Sequence, residues 1–181
     1  MLVKISELKQ LNEFKNIDDS ELERKLKAIE EKIRSHTHNK FQNRMIRFEG
    51  SSVDRIINGA CPYLRVGDTI EISKSVNNGL YTITSVSENT ITVDRELFET
   101  ELNLCTKIEY PKDIIDGAIE LLKWEFDPDN GRSKVGIASE SETLSRHSTS
   151  TTYRSYDKTN MIKGYPAELM SFCESYISMR Y

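Results

Sequence analysis

The chain is 181 residues long, the length of one ordinary domain with room for a second small module, which argues against a multidomain enzyme. Apolar residues make up 37% of it, below the roughly 45–50% of a typical globular chain, so a modest core and much polar surface are expected. With 25 Lys and Arg against 29 Asp and Glu, the net charge of -4 argues against a basic protein that coats DNA or an anionic membrane. No apolar run approaches the roughly 18 residues of a spanning helix. The charged start MLVKISELKQLNEF is unlike a signal peptide, so a soluble protein that stays in its cell is expected. Cys61, Cys105 and Cys173 form no CxxC pair, and free, buried thiols are expected.

The first element is a short helical turn around Ser6 to Phe14, carrying Leu8, Leu11 and Phe14. Asp18 then offers a cap, with Glu21 three residues on, and opens a helix to about His36. Its Leu22, Leu26, Ile29 and Ile33 recur at helical spacing, and Glu23, Lys25, Lys27, Glu30 and Lys32 fill the other face. From Phe41 to Tyr110 the period changes to two, as in a small antiparallel sheet. Thr69 to Ser73, Leu80 to Val86 and Thr90 to Asp94 form a meander with turns at Asn77-Asn78-Gly79 and Ser87-Glu88-Asn89. Arg44 to Phe48 and Thr106 to Glu109 are further strands, enough to curl the sheet into a barrel of SH3-like size.

A second helix is predicted from Pro111 to Phe126, with Asp113 and Asp116 at its positive end and a broad apolar surface from Ile114 to Phe126. Asp127-Pro128-Asp129-Asn130-Gly131 stops it. Residues 132–163 are rich in Ser and Thr. They carry Arg132, Lys134, Arg146, Arg154, Lys158 and Lys163 against Glu140, Glu142 and Asp157, and read as a long basic loop or extended hairpin. Gly164-Tyr165-Pro166 opens a last helix in which Leu169, Phe172, Cys173, Tyr176 and Ile177 recur up to Tyr181.

Chemistry is sparse. His36 and His38 stand at a helix end without a third ligand at metal spacing. Ser145, His147 and Asp157 hold the residue types of a nucleophile relay on a support too pliant for its geometry. No phosphate-binding glycine loop is present, and neither metal, cofactor nor catalysis is expected. Tyr153 and Tyr156 among Arg146, Arg154 and Lys158 suit either loose contact with nucleic acid or a plain solvated loop.

The order of IDDSELERKLKAIEEKI, KDIIDGAIELLKWEF, the Ser/Thr-rich VGIASESETLSRHSTSTTY and a closing GYPAELMSFCESYISMRY resembles the head-tail connector, or adaptor, proteins of long-tailed bacteriophages and prophages. The resemblance covers roughly residues 5–38 and 111–181, and rests on element order and composition. The segment from Phe41 to Tyr110 departs from it, since shorter members join their helices by a brief connection. The resemblance implies an α+β chain: a small helical bundle from residues 1–40 and 111–181, with residues 41–110 as an inserted antiparallel β-module.

It also implies a structural virion protein at the junction of capsid and tail, made in the bacterial cytoplasm. Such proteins form a homo-oligomeric ring of about a dozen copies beneath the portal, extend the DNA channel and offer a docking surface to a stopper or tail-completion protein. In that setting Arg132, Lys134, Arg146, Arg154 and Lys158 would face the channel and touch packaged DNA transiently. Leu169, Phe172, Tyr176, Ile177 and Tyr181 would face the portal or a neighbouring subunit, with no membrane involved. The alternative is a stand-alone SH3-like module that recognises a peptide or nucleic acid through an aromatic groove, for which the segment offers Phe41, Phe48, Tyr63, Tyr81, Phe98 and Tyr110.

Overall fold

A computed structural model describes residues 2–59, 63–127, 139–144, 147–152 and 160–178, the last two strands of the middle hairpin by their backbone. The chain divides into two compact units, Met1–Glu23 with Asn39–Pro111 and Arg24–His38 with Lys112–Tyr181.

In the first unit α1 (Ile5–Leu8) and a 3₁₀ turn (Asn12–Phe14) lead to the start of α2 (Asp19–Thr37), which continues into the second unit. Asp18 caps α2: its Oδ2 accepts the Ser20 N–H at 3.0 Å and the Ser20 hydroxyl. Those two bonds hold its carboxyl below the ordinary carboxylate range. Leu22, Leu26, Ile29 and Ile33 are all buried, as the four-and-three spacing requires.

The sheet has four antiparallel strands: β1 (Gln42–Asn58), β2 (Thr69–Ser73), β3 (Gly79–Val86) and β4 (Thr90–Ile108). β4 organises it. Along its length it pairs with β1, through Leu104–Ile108 with β2, and through Ile91–Val93 with β3. Since β2 also pairs with β3, the sheet closes on itself. Inside lie Ile57, Ile70, Ile72, Tyr81, Ile83, Ile91, Val93 and Cys105, with Phe48 and Val86 packed against them. Each fully buried aliphatic there contributes about 1.5–3 kcal/mol. The strands Thr90 to Asp94 and Thr106 to Glu109, expected as separate, are the two ends of β4; nothing in the intervening RELFETELNLC is a Gly or Pro that would break it.

β1 bends sharply. Asp54 sits at φ 54 between register shifts on either side, a left-handed conformation that Asp tolerates better than branched residues. The bend brings β1 back upon itself, so that a Cβ on Gly50 would lie 2.5 Å from the backbone oxygen of Asn58.

In the second unit α3 (Lys112–Phe126) buries Ile114, Ala118, Leu121, Leu122 and Trp124. A hairpin, β5 (Ser139–Leu144) and β6 (His147–Thr152), and a two-residue ladder, β7 (Met161–Ile162) with β8 (Tyr165–Pro166), follow. The predicted last helix is instead α4 (Ala167–Met170) followed by a 3₁₀ helix, Ser171–Tyr176. Met170, Cys173 and Tyr176 stand three apart, the spacing that a 3₁₀ helix aligns on one side.

The expectation of a small helical bundle is therefore wrong. The α+β class stands, but the body is a four-stranded antiparallel sheet with a few helices. Among the described residues α2 and α3 are the only α-helices longer than four residues. The C-terminal stretch contributes no third long helix, for ten residues in short turns gain little helical cooperativity.

Candidate interaction surface

Of the residues singled out in the sequence, Arg132, Lys134, Arg146, Arg154, Lys158 and Tyr181 lie outside the described residues, as do Cys61, Ser145 and Asp157. His38 is exposed and His36 half-buried, and among the described residues no three His, Cys, Asp or Glu side chains group around a common point. Cys105 and Cys173 are buried thiols outside any disulfide. Burial, with the Asp113 charge behind it, pushes the Cys173 thiol up to about 11.

The C-terminal residues are partly engaged within their own unit. A Cβ on Gly117 would lie 2.5 Å from the Phe172 ring, so that ring sits directly on α3. The Tyr176 hydroxyl donates to both carboxylate oxygens of Asp113, at 2.8 and 2.7 Å, which raises the phenol above its ordinary value. Leu169 is half-buried, and Ile177 keeps 45% of its surface open.

The same unit holds a buried carboxylate. Glu125 pairs with Lys25 at 2.6 Å and accepts the Tyr165 hydroxyl at 2.8 Å. Lys32 lies over the Tyr165 ring, 4.2 Å from its centre, and the Trp124 ring meets Tyr165 edge-on at 5.4 Å. Every group in this cluster has a partner or a packed face except the Trp124 indole N–H, and the arrangement is that of a structural ion pair.

The sheet unit carries the surface that the sequence did not announce. Where β1 and β4 bend together, the side chain of Asn77, from the β2–β3 turn, enters the ladder and is 3% exposed. Its amide donates to the Phe98 carbonyl at 2.9 Å, Ser52 Oγ at 3.1 Å and Asn103 Oδ1 at 3.2 Å. Its oxygen accepts the Phe98 N–H at 2.8 Å. Ser52 Oγ also reaches the Phe98 carbonyl at 2.8 Å, and Ser75 donates to Asn103 at 2.6 Å. Both polar groups of the Phe98 backbone are thus clamped by buried side chains, while its ring points outward, 73% exposed. Val53 and Val76, adjacent to Ser52 and Asn77, are exposed too. A network satisfied in this way fixes one geometry, and here that geometry displays an aromatic ring to solvent.

Four of the six aromatic residues offered for a binding groove are taken up by the core or by one another. Phe41 and Tyr81 are buried, Phe48 packs on the core and Tyr110 lies against Phe41 with ring centres 5.0 Å apart. Tyr63 and Phe98 remain open, but Tyr63 precedes β2 and Phe98 stands beside the turn that follows it. No helix among the described residues is long and apolar enough to cross a membrane. Comparison with family models and with curated proteins finds no match to the chain.

Proposed function

We propose that the chain is a structural virion protein, a head-tail connector that assembles in a ring under the portal, extends the DNA channel and offers a docking surface to the stopper or tail. The order of its acidic-capped helix, central helix, Ser/Thr-rich stretch and Gly-Tyr-Pro segment supports this by resemblance.

The observation that carries it is the placement of exposed apolar side chains. Of nine large ones among the described residues, eight belong to the sheet unit. Scattered singly they would mean little, but Phe98 is held by Asn77 and Ser52, and Val53 and Val76, the chain neighbours of those two residues, are exposed as well. A subunit that completes its burial against neighbours has such a surface.

In this reading Arg132, Lys134, Arg146, Arg154 and Lys158 give the channel a mild positive charge that offsets phosphate without retaining DNA. The C-terminal segment, with Ile177 as its exposed apolar side chain, faces the portal. The test is to mix the protein with the portal of the same virus and examine the product by native mass spectrometry and negative-stain microscopy. A ring stacked on the portal is expected. Failure to form a complex at high concentration of both refutes the reading.

A further inference from the structure

The bend at Phe98 has a counterpart on the same unit. Met45, near the start of β1, is 92% exposed, and Arg44 and Arg47 flank it, both exposed. It too is held: the Met45 N–H donates to Asn43 Oδ1 at 3.1 Å, and Arg47 Nε to Thr106 Oγ1 at 3.0 Å. Of the nearby carboxylates, Glu109 accepts the Asn43 amide at 2.7 Å, Glu71 accepts the Gln42 amide at 3.0 Å and Lys40 at 2.8 Å, and Glu49, exposed, follows Arg47 by two residues.

The Phe98 bend has the opposite rim. Asp54, Glu96, Glu99 and Glu101 are exposed on its two strands, against Arg55, which pairs with Glu96 at 3.7 Å, and Lys74 on the turn. Arg95 is drawn away, over the Tyr81 ring at 4.7 Å and onto the Leu80 carbonyl.

We infer that this chain docks head to tail on a second copy of itself, the acidic Phe98 bend of one copy against the basic Met45 end of β1 in the next. Each side supplies what the other lacks, an apolar centre matched by an apolar centre and a rim of opposite charge. Because the two surfaces differ, the contact is heterologous. An open row of copies keeps one free surface of each kind, at its two ends, until a ring closes. The inference rests on the connector reading for its biological setting, but the docking is testable without a portal.

The experiment uses the full chain and two variants that place a like charge opposite the partner's rim, Phe98→Lys and Met45→Glu. Both side chains are exposed, so thermal melts should match the parent. Sedimentation velocity over a concentration series should show the parent forming species larger than a monomer, less so at high salt. Each variant alone should associate at least tenfold more weakly.

An equal mixture of the two should recover association at least to dimers, since one intact bend and one intact Met45 end remain. Phe98→Ser and Met45→Ser repeat the measurement if a charged variant lowers the melt. A parent that stays monomeric overturns the inference, as do variants that assemble like the parent, or a mixture that remains monomeric. None of these touches the connector reading, which the portal complex decides.

Discussion

Asn77→Ala tests whether the bend is held as described. The side chain is 3% exposed and makes bonds of 2.9, 3.1 and 3.2 Å as donor and 2.8 Å as acceptor. Its loss is uneven in effect. Ser52 retains Thr100 at 2.9 Å and the Phe98 carbonyl, and Asn103 retains Ser75. The Phe98 N–H, however, loses the oxygen that holds it. A net hydrogen bond is worth about 1 kcal/mol and a buried donor left unpaired costs about 1–3 kcal/mol, so a loss of about 3 kcal/mol from the sheet unit is expected. Because the chain has two compact units, a single unfolding transition is not assumed. The measurement is therefore urea unfolding together with hydrogen exchange at the Phe98 amide. Exchange there should accelerate by about a hundredfold, the rate equivalent of that energy. A change below about 0.5 kcal/mol with exchange unaltered would show that the network does not hold Phe98, and would remove the rigidity on which the proposed docking surface depends.

Three further outcomes follow from single contacts. Gly50→Ala places a Cβ 2.5 Å from the Asn58 carbonyl oxygen and 2.9 Å from Ile57; the melt should fall by the equivalent of about 3 kcal/mol, and an unchanged melt would deny that β1 folds back on itself. Gly117→Ala drives a methyl into the Phe172 ring, so limited proteolysis should release the C-terminal segment faster than in the parent; equal protection would place the ring elsewhere. The third is a pH dependence. Cys173 and Tyr176 both have folded values above their ordinary 9.0 and 10.0, so their neutral forms stabilise the fold below those values. That contribution is lost as pH rises through the raised values, about 11 for Cys173. Stability should therefore drop on the alkaline side of pH 9, and Asp113→Asn, which removes the raising charge, should bring both ionisations to lower pH, read by thiol reactivity and phenolate absorbance. Unmoved titrations would show that Asp113 does not face these groups.

Periodicity located α2, α3 and the meander because each is a long run with one apolar face and a chemical stop: Asp18 before α2, Asp127-Pro128 after α3, Asn77 to Gly79 between β2 and β3. It failed where tertiary partners decide. The middle of β4, Arg95 to Leu102, has too many charges to read as a strand, yet β1 supplies a ladder partner for it and the chain runs on without a break. The C-terminal stretch reads equally well at spacings of three and four, since Leu169, Met170, Phe172, Cys173 and Tyr176 satisfy both. Packing of Phe172 onto the bare surface at Gly117 accompanies the tighter turn.

The Phe98 surface was hidden for a different reason. In LFETELN the alternation puts Leu97 inside and Phe98 outside, and a lone outward Phe gives no signal. Asn77 read as a turn residue, which it is by position, while its side chain acts as a core group through partners 21 to 26 residues away in sequence. One trace was available: Ser52 and Asn103 occupy inward positions on strands whose neighbouring inward residues, such as Ile57 and Cys105, are apolar. Polar residues facing inward must find partners, and a turn asparagine carries both a donor and an acceptor to serve them. The bend is thus built around a polar demand that no apolar substitute meets. Its product is a backbone held from both sides at Phe98 and a ring turned to solvent, and the rigidity is obtained by placing polar groups at two inward strand positions, Ser52 and Asn103.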